Sequence, residues 1–240
     1  MRHIEKPLNS TARSILDDAK RWMSAKHLSK TYSNFTQKAK LNDELRKEQK
    51  YICCYCQQRI AQGNHSLGSH NEHFYPEDQY VDNQLDYENL FACCNRTQGF
   101  QKRFQYCGEY KSNTIIDTNL LLDVNCSQYF KYNSNGEILP SGPMTVYDDV
   151  IRNRERLTEQ QTKALAMIEA LNLNEEHLKN RRKEIIDDIF AKEYAFTIEQ
   201  LHHKIQVLHN EQNEYIEFVD LIIYYLQVLI RIKSHKQNRL

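Results

Sequence analysis

Apolar residues recur at helical spacing in the first fifty positions, as Ile15, Ala19 and Trp22-Met23 and then Leu41 and Leu45. This pattern predicts two helices before Tyr51, the first capped by Ser10 or Thr11. From there to about residue 125 the periodicity dissolves into Asn, Asp, Tyr, Gly and Cys, which predicts loops, short strands and a short helix. Tyr129-Phe130-Lys131-Tyr132 and Glu137-Ile138-Leu139 then flank Asn133-Ser134-Asn135-Gly136, a hairpin signal carried by the Asn-Gly pair. Beyond residue 148 the pattern is helical throughout. Leu157, Leu165, Ile168 and Leu171 share a stripe, Asn172 or Asn174 starts the next helix, and Ile185, Ile186, Ile189 and Phe190 extend the stripe. Residues 198–232 form one long apolar helical pattern, and Arg181-Arg182-Lys183 reads as an exposed helix face. The expected fold is α+β: helical regions at residues 1–50 and 148–240 around a strand-bearing core at 51–147.

With only six glycines and four prolines in 240 residues, long helices are favoured over many turns. A hydrophobic fraction of 40% and a charged fraction of 27% fit a folded, water-soluble chain. Net charge is zero and the pI is near 7.1, which argues against unaided binding of duplex DNA, because phosphate contacts supply most of such affinity. A locally basic face, or a partner that brings the nucleic acid, would be needed. The first nine residues are charged and lack an apolar core, so no secretory signal is expected. Residues 218–232 are interrupted by Asp220, Gln227 and Arg231 and are too short and polar to span a bilayer. The expected address is the cytoplasm, where seven clustered cysteines point to metal rather than disulfides.

Cys53 and Cys56 form a C-x-x-C knuckle, and a structural zinc site needs a second pair from Cys93, Cys94 and Cys107. The alternative is that all are packed thiols, the reading given to Cys54 and Cys126. Between the cysteine groups lies Glu72-His73-Phe74-Tyr75-Pro76. Histidine is suited to activating water near neutral pH, and the adjacent carboxylate, on the opposite face, can hold Mg²⁺ or Mn²⁺. Asn89, in Asp86-Tyr87-Glu88-Asn89-Leu90, can bond backbone across its loop. In Cys107-Gly108-Glu109-Tyr110-Lys111-Ser112-Asn113, a short helix would offer Lys111 to a phosphate and Asn113 to a metal, or expose both. His65 and His70, in a loop with Gly63, Asn64 and Gly68, read as solvated. Arg96, Lys102 and Arg103, interleaved with Phe100, Phe104 and Tyr106, read either as contacts to a DNA backbone or as a solvated loop.

The order C-x-x-C, Glu-His-Phe-x-Pro, Tyr-x-Asn-Leu, Cys, Cys-Gly-x-x-Lys resembles the zinc-stapled HNH endonucleases. More narrowly it resembles the PtuB-type HNH proteins of the Septu anti-phage system, which also occur beside retrons. The resemblance covers residues 45–117. It implies a ββα-metal core, His73 as general base, Glu72 as ligand of a catalytic divalent cation and Asn89 as the residue that orients the loop. It also implies structural zinc on Cys53, Cys56, Cys94 and Cys107, with Cys94 preferred to Cys93 because the family's cysteine stands five positions after the asparagine. DNA as substrate and a PtuA-type ATPase as partner follow from the same resemblance, and the apolar C-terminal helices offer a surface for that ATPase or for self-association. The sequence departs from the family where Gly108 follows Cys107, since many relatives carry their last metal ligand there. Asn113, with Asn95 behind it, is the expected replacement. RNA cleavage would use the same site. The competing reading is a non-catalytic zinc adaptor.

Overall fold

Two helices precede Tyr51 in the computed structural model, which describes residues 1–60 and 68–237. Helix α1 (Thr11–Ala25) starts at Ser10, whose hydroxyl accepts the Arg13 N–H, and buries Ala12, Ile15, Leu16, Ala19 and Met23 on one stripe. Trp22 falls on its exposed side. Helix α2 (Lys38–Glu48) buries Leu41 and Leu45 together with Asn42 and Arg46.

Strands β1 (Ser69–His73) and β2 (Leu90–Cys94) pair antiparallel, with His70 opposite Cys93, Glu72 opposite Phe91 and His73 opposite Leu90. Every residue of β2 is buried. Helix α2 packs on both strands, and the short helix α3 (Cys107–Lys111) packs on β2. A second hairpin joins β3 (Phe130–Tyr132) to β4 (Ile138–Pro140) through the anticipated turn. Gly136 there has φ +77°, and a Cβ on it would fall 2.1 Å from the Lys179 carbonyl, so both conformation and space require glycine.

Helices α4 (Tyr147–Arg152), α5 (Glu159–Ala170), α6 (Glu176–Glu193), α7 (Ile198–Asn210) and α8 (Val219–Gln237) complete the described chain. Thr158 and Gln161 form a capping box at the head of α5, so Leu157 lies outside the helix whose stripe it suggested. Neither Asn172 nor Asn174 starts α6. Asn174 instead accepts the Ile138 N–H and donates to the Ile138 carbonyl, and the Glu175 carboxylate caps His177 and Leu178. The long C-terminal pattern is also broken, between α7 and α8. In that break Tyr215 N–H donates to the Lys50 carbonyl and Phe218 N–H to that of Gln57, contacts that a continuous helix would forbid. Arg182 is buried, not part of an exposed face; its guanidinium donates to the carbonyls of Gly136 and Leu173. The fold is thus mixed α+β, and one cluster of buried apolar side chains runs from Met1 and α1 through β2 to Leu229 on α8. Among the described residues no helix is long and apolar enough to cross a membrane.

Candidate metal centre

The C-x-x-C knuckle is shaped by its own backbone and by its neighbours. Cys53 N–H donates to the Gln58 carbonyl and Gln57 N–H to that of Cys53, while Ile52 bridges Arg59. Gln57 takes φ +63°, a left-handed conformation usually left to glycine. What holds it there is long-range: its side-chain amide donates to Asp220 at 2.6 Å, its amide oxygen accepts the Asp220 N–H, and its carbonyl accepts the Phe218 N–H. Gln49, buried at the end of α2, locks the knuckle to the sheet. It accepts from Ala92 N–H at 2.7 Å and donates to the carbonyls of Ala92 and Ile52.

Against this knuckle come Cys94, at the end of β2, and Cys107, at the start of α3. The sulfurs of Cys53, Cys56, Cys94 and Cys107 all lie within 4.8 Å of one another, and all four residues are buried. Cys56 and Cys94 sulfurs are 3.8 Å apart and those of Cys53 and Cys107 are 3.9 Å apart. Tetrahedral zinc with bonds of about 2.3 Å places its sulfurs about 3.8 Å apart, whereas a disulfide needs about 2 Å. Four buried thiols at that spacing fit a structural Zn²⁺. Cys93, also 3.9 Å from Cys53, points its sulfur instead at the Gly108 N–H, 3.3 Å away. Hydrogen bonds from Cys107 and other thiols bring Cys94 down to about 6, while burial pushes Cys56, Cys93 and Cys107 up. Cys54 and Cys126 are buried, Cys54 beside Cys53 and Cys93.

Strand alternation divides β1 into two faces. His70 and Glu72 lie on the face turned toward α3. Glu72 is buried, and its carboxylate receives three partners: Tyr55 hydroxyl at 3.1 Å and Lys111 ammonium at 3.0 Å on Oε1, and His70 Nε2 at 3.1 Å on Oε2. Burial would raise the Glu72 carboxyl, but the His70 hydrogen bond and the Lys111 charge outweigh it and hold it below the usual range. Burial likewise works against charge on His70, yet the hydrogen bond and charge of Glu72 lift it to about 9. His70 Nδ1 is bonded to Asn95 Oδ1. His70 is therefore not a solvated loop residue; the alternation of β1, which brings it beside Glu72, was the signal available in the sequence. His65, by contrast, lies outside the described residues.

His73 is on the other face. Its Nε2 donates to the Gln84 carbonyl at 2.9 Å, and its ring meets that of Tyr32 edge-on at 4.6 Å. Burial holds the imidazole below its ordinary value, against the opposing pull of that carbonyl and of Glu77. Because a carbonyl can only accept, Nε2 carries the proton and the neutral ring has its lone pair on Nδ1. Asn89 is buried and spans the loop after β1. It accepts the Tyr75 N–H at 2.7 Å and donates to the carbonyls of Tyr75 and Asn83.

The expected surface contacts divide. Lys111 is 2% exposed, and its ammonium is spent on Glu72 and the His73 carbonyl, so it does not face a phosphate. The Asn113 amide donates to Asp78 at the surface, and none of the three partners of Glu72 is Asn113. Arg96 turns to the Arg59 carbonyl and Glu217. Lys102 lies over the Tyr110 ring and Arg103 over that of Phe104, both exposed beside the exposed Phe100. Sequence reasoning passed over Gln49, Tyr55 and Gln57, because their partners are distant in the chain. No family model matches the chain, and no curated protein matches it significantly.

Proposed function

We propose that the chain is a metal-dependent nuclease that hydrolyses DNA phosphodiester bonds, with structural zinc on the four cysteines and His73 as general base. The observation that carries this reading is the His73–Gln84 hydrogen bond, which fixes the tautomer and leaves Nδ1 free to accept a proton from water. Burial keeps that imidazole neutral near pH 7. Asn89 closes the loop that supplies the Gln84 carbonyl, and Lys111 ties the His73 backbone to Glu72. Glu72 would hold a divalent Mg²⁺ or Mn²⁺, which when bound supplies positive charge to the leaving oxygen and the phosphate. Zero net charge suits a nuclease positioned by a partner, and an ATPase of the anti-phage type is the partner this reading favours. Exposed Lys102 and Arg103 offer the backbone contacts.

The test is cleavage of supercoiled plasmid in Mg²⁺ or Mn²⁺, with and without the ATPase, by wild type and His73→Ala. Loss of about 10²- to 10⁴-fold in rate, with zinc content unchanged, is expected. Cutting that survives the substitution rejects His73 as the base. One observation favours a non-catalytic zinc adaptor instead: the Glu72 carboxylate is already served by three protein donors. No cutting by zinc-replete protein under any of these conditions would select that reading.

A further inference from the structure

We propose that His70 is the second protein ligand of the divalent cation at Glu72, supplying from strand β1 the side chain that helix α3 lacks. The inference rests on the cation site of the nuclease reading. Residues 70 and 72 share a face of β1, and His70 Nε2 stands 3.1 Å from Glu72 Oε2. Two adjacent ligands of an octahedral ion with bonds of about 2.1 Å are about 3.0 Å apart, so the pair already has the spacing of a coordination edge. Lys111 and Tyr55 occupy Oε1, which leaves Oε2 as the oxygen for the ion.

Two further features match a ligating imidazole. Its second nitrogen, Nδ1, is bonded to Asn95 Oδ1, the outer contact that fixes ring orientation in metal-bound histidines. The backbone of α3 also closes on the pair. A Cβ on Gly108 would fall 2.5 Å from Glu72 Oε2 and 2.9 Å from His70 Nε2. Position 108 therefore has no room for a side chain of its own while His70 and Glu72 occupy that space. His70 is 32% exposed, which gives an ion a route from solvent that the buried Glu72 lacks. On binding, the ion replaces the proton shared by Nε2 and Oε2, and that proton leaves to solvent. Cys93 lies close enough to join His70 and Glu72 as a third, softer ligand, which would suit zinc.

The experiment is Mn²⁺ binding to the full, zinc-loaded chain, followed by electron paramagnetic resonance and calorimetry, with zinc content and thermal unfolding recorded for each variant. One Mn²⁺ per chain is expected, with affinity reduced about tenfold or more in His70→Ala and in Gly108→Ala. His70→Gln replaces His70→Ala if the latter fails to retain zinc. Mn²⁺ binding that Glu72→Gln abolishes and both His70 variants leave unchanged overturns the inference while sparing the cation site. Absence of Mn²⁺ binding in zinc-replete wild type overturns both. Uptake of a second zinc, lost in Cys93→Ser, with no Mn²⁺ bound, overturns it in favour of a soft-metal site.

Discussion

The two faces of β1 solve opposite problems with adjacent residues. Toward α3, His70 and Glu72 form a charged group with Lys111 and Tyr55, close to Cys93, whose sulfur in turn neighbours that of Cys53. Toward α2, the same strand makes neutral hydrogen bonds: Ser69 hydroxyl donates to Asn42, Asn42 donates to Asn71, and Asn71 donates to the Tyr32 hydroxyl and the Lys38 carbonyl. The first face depends on charges balanced around a buried carboxylate, the second on geometry. His73 sits on the second, where its neighbours fix its orientation without forcing it to ionise. The lesson is that a base and a carboxylate can be one residue apart and still titrate in different surroundings, because the strand turns them to different sides.

The heaviest blow to this contrast is at the metal. Cys107→Ser, or a strong chelator, is expected to release zinc and unfold the α3 side, since zinc–thiolate sites contribute on the order of 10 kcal/mol to folding. Zinc content and circular dichroism would show it, and a variant that keeps both would exclude Cys107 as a ligand. Next comes Lys111→Met, which leaves the buried Glu72 carboxylate with only His70 and the Tyr55 hydroxyl and should cost about 3–5 kcal/mol in chemical denaturation. An unchanged midpoint would mean that the charged face tolerates imbalance. On the neutral face, Asn42→Ala removes one partner each from Ser69 and Asn71, for about 1–3 kcal/mol, with zinc retained. If it cost more than Lys111→Met, the ranking of the faces would be reversed. The smallest effect is in pH. A lowered His73 value means the base stays unprotonated further into acid, so the acid limb of a cleavage profile should lie below about 6.5, the ordinary imidazole value. A limb above that value would place the titrating group elsewhere.

Much of the middle region was legible because its signals are local. The C-x-x-C spacing, the Asn-Gly turn and the alternation through Glu72-His73 each depend on a few adjacent residues, and each forms a recognisable local structure here. The readings that failed concern partners remote in sequence. Lys111 and Arg182 look like surface cations until Glu72 and the Gly136 carbonyl are brought to them. The helix break between α7 and α8 is invisible in the apolar stripe, because it is made by carbonyls at Lys50 and Gln57. Asn174 has the composition of a cap and serves as a strand partner. The zero net charge conceals how unevenly the charges are buried.

The clamp on Gln57 carries a consequence for anyone who would shorten the protein. A fragment ending before residue 218 keeps every cysteine, yet it removes Phe218 and Asp220, the groups that hold the turn after Cys56 in its left-handed shape. Such a fragment would have to assemble its metal knuckle on a turn relaxing toward other conformations. The segment around residue 220 is thus part of the tool, and a transplantable version of this centre has to include the start of α8.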